Sequence, residues 1–208
     1  MGTSTAVSQG RVRLGLAVFA LACAFLGAAA DAQARGGHYA IDGGNARHRA
    51  AVRAALDASS FDWSIVPAQV AIHLVPGAAP AATPGEIWLD PTLLDAGVFS
   101  WALVQDEYAH QVDYFLFDAQ DRRILNTLLR GTVWCYGDRS GLPHAAYGCE
   151  RFSSTLVWAY WPVKGNAYRP ESRSAESAAM DPVRFRSLVG SLLGTSEPQL
   201  MYRVAFDA

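Results

Sequence analysis

The run Val104-Gln105-Asp106-Glu107-Tyr108-Ala109-His110-Gln111-Val112-Asp113-Tyr114 decides how this chain is read. Residues four apart on a helix lie one above the other, about 5.4 Å along the axis. Asp106 and His110 can therefore close on one metal ion with Glu107 beside them, and Asp113 returns to the same side. At about 100° per residue, Trp101, Val104, Tyr108, Val112 and Phe115 form one apolar stripe, while Phe99, Leu103 and Phe117 surround the Asp106 and His110 side. A helix apolar on two sides belongs in the middle of a domain. Polar groups placed there are costly unless they are paired or bind an ion. Taken alone, Asp106 and His110 also read as an ordinary i,i+4 ion pair, so the metal reading needs a third ligand from elsewhere.

Working outward, Asn45 to Ala58 is rich in Ala, Arg and Leu and reads as an early surface helix. Gln69 to Val75 then alternates, with Val70, Ile72 and Leu74 on one face and Ala71 and His73 on the other, which is a half-buried strand. After a Pro/Ala/Gly loop from Pro76 to Gly85, Glu86 to Asp90 reads as a second strand. The second helix, which carries the opening run, should extend from about Leu94 to Asp118, and a third from Gln120 to Arg130 with Gly131 as its stop. An irregular loop, Thr132 to Ala146, leads to a fourth helix from about Tyr147 to Trp161, ended by Pro162. A fifth has Asp181 as N-cap and Pro182 in its first turn, and stops at Gly194. Strands first and helices afterwards predict an α+β domain rather than a doubly wound sheet.

The chain has 208 residues, 51% of them apolar and 17% charged, with a formal net charge of −2. That balance excludes a disordered tail and gives no basic patch for nucleic acid or anionic lipid. Part of the apolar fraction comes from residues 1–34: Arg11 and Arg13 precede an apolar run from Leu14 to Ala30, and small residues follow through Ala34. This is the order of a secretory signal peptide, cleaved near Ala32 or Ala34, which leaves residues 35–208 as one mildly acidic domain. Two other readings stay open, an uncleaved anchor and lipidation at Cys23 after Leu21-Ala22. Each would bring the chain to a membrane through its N-terminus alone. Beyond the signal, Cys135 and Cys149 are an even pair in an oxidising compartment and are expected to form a disulfide, the alternative being two free thiols.

The opening run resembles the zinc-binding helix of the HExxH metallopeptidases, with DEYAH where HExxH is expected. More narrowly, DEYAHQVDYF followed by ERFSSTLVWAYW resembles the catalytic domain of the anthrax lethal factor-like peptidases, of the gluzincin branch, where HExxHxxD precedes an ExFA-type helix. The resemblance covers roughly Gln69 to Trp161 and implies a zincin-like α+β fold, with Zn²⁺ as cofactor and a peptide or protein as substrate. It makes Asp106, His110 and Glu150 the metal ligands, and Glu107 the general base that takes a proton from the water on the metal. Asp113 would orient a ligand histidine, and Tyr147 or His144 would donate to the developing oxyanion. The strand beside the cleft, along which substrate lies extended, has its counterpart in Gly85 to Asp90. Small Ser153 and Ser154 on Glu150's side would let the fourth helix approach closely. Without the family pattern, Glu150 reads as a carboxylate favoured in a first helical turn.

The departure from the pattern is Asp106, where the family has histidine. Aspartate binds zinc but reaches less far from the helix than imidazole. It also adds a negative charge, so the ion acidifies its water less, and a harder ion such as Mn²⁺ or Ca²⁺ suits the donor set better. Three functions follow: a secreted metal-dependent peptidase, a catalytically inactive zincin-like secreted module whose cleft still accepts peptides or whose surface serves a partner, or a wall- or envelope-associated structural domain.

Overall fold

The alternation of Val70, Ile72 and Leu74 is realised in strand β2 (Val70–Leu74), whose three apolar side chains are buried while Ala71 and His73 are half-buried. The computed structural model describes Met1 and residues 37–135, 137 and 141–195. The expected signal peptide, with Cys23 and both cleavage positions, lies outside the described residues. The architecture is α+β, as the order of elements predicts: among the described residues, a four-stranded mixed sheet with five α-helices.

Strand β1 (Tyr39–Gly43) precedes helix α1 (Ala46–Ala58), and strands β3 (Ala81–Thr83) and β4 (Glu86–Leu89) follow β2. The sheet order is β1-β2-β4-β3. β1 and β4 run parallel to β2, and β3 runs antiparallel to β4. Two of these strands are not in the sequence reading. β1 is short, half-exposed and ends in glycine, so it carries no clean alternation. β3 lies inside the segment read as a Pro/Ala/Gly loop and is flanked by Pro80 and Pro84, residues that mark edge strands. The consequence for the cleft is a correction. The strand at Gly85 to Asp90 is interior, paired on both sides, and the free rim is β3.

The helices are α2 (Val98–Leu116), α3 (Ala119–Leu128), α4 (Gly148–Tyr160) and α5 (Pro182–Leu192). α2 starts four residues later than expected because Gly97, at φ 67°, separates it from a 3-10 turn at Pro91–Ala96. It stops two residues early, where Asp118 caps α3 by accepting from the backbone N–H of Gln120 and Asp121. Asp181 caps α5 in the same way through Val183 and Arg184.

Every residue from Val104 to Asp113 is buried, so α2 does pass through the middle of the domain. Tyr108 and Val112 face a core that includes Ile72 and Ile87 from the sheet and Phe152 from α4. The stripe ends sooner than its spacing predicts, since Phe115 is partly exposed, and Phe99, expected beside Asp106 and His110, is largely exposed in the first turn. On the other side α2 is joined to α1 by Gln105, whose amide donates to the Ala55 carbonyl at 2.7 Å. Among the described residues no helix is long and apolar enough to cross a membrane.

The start of α4 is fixed by three devices. Cys135 and Cys149 form the expected disulfide, with Cα atoms 5.5 Å apart. Gly148 and Cys149 donate backbone N–H groups to Val133 and Trp134 carbonyls, both at 2.8 Å. Gly131 and Gly148 pack backbone against backbone, so that a Cβ on Gly131 would stand 2.7 Å from Gly148 Cα, and one on Gly148 would meet Asn126 Oδ1 at 2.3 Å and Trp134 at 2.8 Å. Neither position has room for a methyl group. Gly148→Ala should therefore destabilise the protein by about 1–3 kcal/mol, read as a lower denaturant midpoint, whereas an alanine at exposed Gly137, which meets nothing within 4 Å, should not do so by crowding.

Candidate metal centre

Two buried helices bring the site together. From α2, Asp106, Glu107 and His110 project within little more than one turn, and α4, packed across α2, supplies Glu150 from its first turn. Ser153 and Ser154 are buried where the helices meet, and both hydroxyls fold back onto the Glu150 carbonyl, at 3.1 and 2.8 Å. Small side chains whose polar ends are satisfied within their own helix are what allow this approach.

Asp106, His110 and Glu150 each offer one ligand atom, and the three atoms lie within 4.8 Å of one another. His110 Nε2 is 3.4 Å from Glu150 Oε2. Tetrahedral ligands about 2.0–2.1 Å from a zinc ion are about 3.3–3.4 Å apart, so this edge has the size a bound ion requires. Asp106 Oδ1, buried, has no hydrogen-bond partner. An oxygen and nitrogen donor set with an orphaned carboxylate oxygen fits a divalent cation, and among the described residues it is the group that could hold one.

The charges confirm how tightly the groups are coupled. Burial raises the Asp106 carboxyl to about 6 against the opposing pull of His110. Glu107 is raised to about 8, first by burial and then by Asp106. For His110 burial opposes the charge, but the bond to Glu150 and the neighbouring carboxylates outweigh it and raise the imidazole to about 9. Glu150 goes the other way: although burial would raise it, His110 and His144 lower it to about 2. Without a cation, then, protons on His110 and Glu107 balance the carboxylates. A cation entering between Asp106, His110 and Glu150 has to displace the His110 proton.

These residues line one cleft of about 500 Å³, together with Leu103, Tyr114, Cys135, His144, Tyr168 and the β3 residues Ala81 and Ala82. His144 stands at the rim, with Nε2 3.1 Å from Glu150 Oε2 and Nδ1 3.0 Å from the Glu176 carboxylate. Those two hydrogen bonds raise it to about 10. Tyr147 is elsewhere: it is fully buried, does not line the cleft, and its hydroxyl accepts from Leu142 N at 3.2 Å. Asp113 is likewise engaged outside the cleft. It accepts from Arg122 Nε at 2.7 Å and Trp134 Nε1 at 3.0 Å, while His110 Nδ1, which it was expected to orient, has no partner. Its observed role is to tie α2 to α3 and to the loop that leads into α4.

The chain matches no family model, no curated protein and no solved structure.

Three contributors were not singled out from the sequence. Gln111, fully buried, accepts from Gly85 N at 2.8 Å and donates to the Thr83 and Glu86 carbonyls at 3.0 and 3.3 Å. Tyr114 donates to the Ala82 carbonyl at 3.0 Å. These two residues fasten the β3–β4 turn to α2 and so set the distance between rim and floor. Glu176 holds His144 from a 3-10 turn at Glu176–Ala178. Gln111 left a readable signal, a polar residue directly after His110 in an otherwise apolar helix. Glu176 left none, because it is distant in sequence.

Proposed function

We propose that this chain is an exported metal-dependent peptidase of the zincin type, whose ion is held by Asp106, His110 and Glu150. The observation that carries the reading is the convergence of those three ligand atoms with Glu107 in one cleft whose rim is the antiparallel edge strand β3. A bound divalent ion supplies Lewis acidity to the scissile carbonyl and to the attacking water. Zn²⁺ matches the spacing of the site, and Mn²⁺ is the competitor that two carboxylates favour. Glu107 takes the proton of the water and delivers it to the leaving amine nitrogen, a task suited to a carboxylate in a water-poor pocket. His144, held protonated between Glu150 and Glu176, sets a positive charge at the rim that offsets the charge the carbonyl oxygen gains. The substrate main chain lies along β3, where three residues give few backbone bonds, so side-chain contacts must supply most of the affinity.

The second reading, a zincin-like module that binds peptides without cutting them, is favoured by the additional carboxylate at position 106, which leaves the ion less able to acidify water. One experiment separates the two. Elemental analysis of the purified mature protein should find about one equivalent of zinc or manganese, and a chelator should abolish hydrolysis of a casein or peptide-library substrate, with recovery on adding the metal back. Metal without hydrolysis selects the binding module. No stoichiometric metal, even after incubation with Zn²⁺ and Mn²⁺, overturns the proposed ligand set.

A further inference from the structure

The carboxylate of Asp106 poses a problem that an imidazole at this position would not. A carboxylate has two equivalent oxygens and turns freely about its last bond, so a lone aspartate in a cavity is a poorly fixed ligand. Asp106 is buried, and its Oδ1 is unpartnered. Two hydroxyl groups bear on the carboxylate, those of Ser153 and Tyr168. The Ser153 hydroxyl has one proton and a competing acceptor, the Glu150 carbonyl at 3.1 Å. Tyr168 has no such competitor within its own backbone.

Tyr168 is also built into place. Its ring packs against Ala102, Val157 and Trp161, on the face of α2 one turn before Asp106 and on the last turns of α4. Its backbone N–H donates at 2.8 Å to the side chain of Asn166, and buried Asn166 in turn donates at 2.8 Å to the Trp161 carbonyl at the end of α4. The loop that follows α4 is thus pinned where Tyr168 lines the same cleft as Asp106. His144 engages a different carboxylate, Glu150 at 3.1 Å, so the two are not alternatives for one role.

We propose that Tyr168 is the positioning residue for the Asp106 ligand: its hydroxyl holds one carboxylate oxygen and leaves the unpartnered Oδ1 as the ligand atom. This rests on the metal-site reading given above. It explains how an aspartate serves where the resembling helices carry histidine, since the hydroxyl supplies the orientation that a rigid imidazole ring has by itself. It also limits the charge that the aspartate brings to the ion, because a carboxylate that accepts a hydrogen bond donates less electron density through its other oxygen.

The test is a double-mutant cycle read by metal affinity, not by catalysis. Zn²⁺ and Mn²⁺ dissociation constants are measured by competition with a chromophoric chelator for the mature protein, Tyr168→Phe, Asp106→His and the double variant. Tyr168→Phe should weaken binding by about 10–100-fold, the usual effect of removing a hydrogen bond to a metal ligand. In the Asp106→His background the same change should cost less than about threefold, because the coupled partner is gone. Equal affinity for the protein with and without Tyr168→Phe overturns the inference while leaving the metal site standing. An equal loss in both backgrounds overturns it too, since that is the mark of a merely structural tyrosine. Absence of metal binding by the unmutated protein overturns the metal site itself, and this inference with it. Should Tyr168→Phe fail to fold, Asn166→Ala, which releases the loop but keeps the hydroxyl, should lower affinity in the Asp106 protein and spare the Asp106→His one; equal affinity there also counts against the inference.

Discussion

Glu150→Ala should strip the protein of bound metal, with an affinity lower by on the order of a hundredfold or more, corresponding to about 3 kcal/mol. The reason is that Glu150 Oε2 is where two imidazoles meet, His110 Nε2 at 3.4 Å and His144 Nε2 at 3.1 Å. Removing the carboxylate takes one ligand from the ion and the partner from a second. The same variant has a signature in the metal-free protein. His110 is raised from 6.5 to about 9 by neighbours that outweigh its burial. A histidine whose pKa is higher when folded stabilises the fold fully below its unfolded value and loses that contribution as pH rises through the folded value. Metal-free protein should therefore lose stability between about pH 6.5 and 9, and in Glu150→Ala that slope should shrink. Melting temperatures measured across this range, with chelator present, check it. An unchanged slope would mean that His110 and Glu150 are not coupled as their geometry requires.

Glu107→Gln should have the opposite character: metal retained, hydrolysis lost by about 10²- to 10⁴-fold, the range expected for deleting a general base. Glutamine keeps the shape of the side chain and cannot accept the proton. Glu107 is not among the three ligand atoms that converge, so metal content should stay near one equivalent. In the metal-free site its carboxyl is raised to about 8 by burial and by Asp106 beside it. A cation at the centre pulls that value down, so the group becomes a competent base at neutral pH only when the site is loaded. The measurement is initial rate on a fixed peptide at saturating metal. Hydrolysis undiminished in Glu107→Gln would remove the residue from the mechanism, and a parallel loss of metal would make it a ligand.

The α2 part of the candidate ligand set was legible because its spacing is a local property of helices. Asp106, Glu107 and His110 share a turn, whereas Glu150 stands out only through the resemblance to the gluzincin pattern, since by itself it reads as a carboxylate in a first helical turn. The helices were legible within a few residues from their end signals, Pro162, Asp181 and Pro182 among them, whereas Asp118, read as the end of α2, caps α3. What the spacing could not carry is any contact set by the return of the chain from a distance. Tyr168 comes to the cleft that holds Asp106 through a loop pinned by Asn166, and Glu176 reaches His144 from a short turn of no periodicity. Tyr147 was placed near the oxyanion by its position before Glu150, yet the backbone bridge between Val133 and Tyr147 turns it into the interior. β3 was missed because prolines on both sides and two alanines within it give neither alternation nor hydrophobicity.

That same unpromising strand has a consequence for the molecule in a crowded compartment. An exposed strand edge is a template on which a second chain can add itself, and proteins that must stay dispersed blunt such edges. Here the edge is three residues long, bounded by Pro80 and Pro84, each without a backbone N–H to offer, and Tyr114 already occupies the Ala82 carbonyl. At this edge a second copy of the chain finds too little ladder to start a fibril on, whereas the extended segment proposed as substrate, held by its side chains, would need only a few rungs. The rim is thus open to a guest and closed to its own kind.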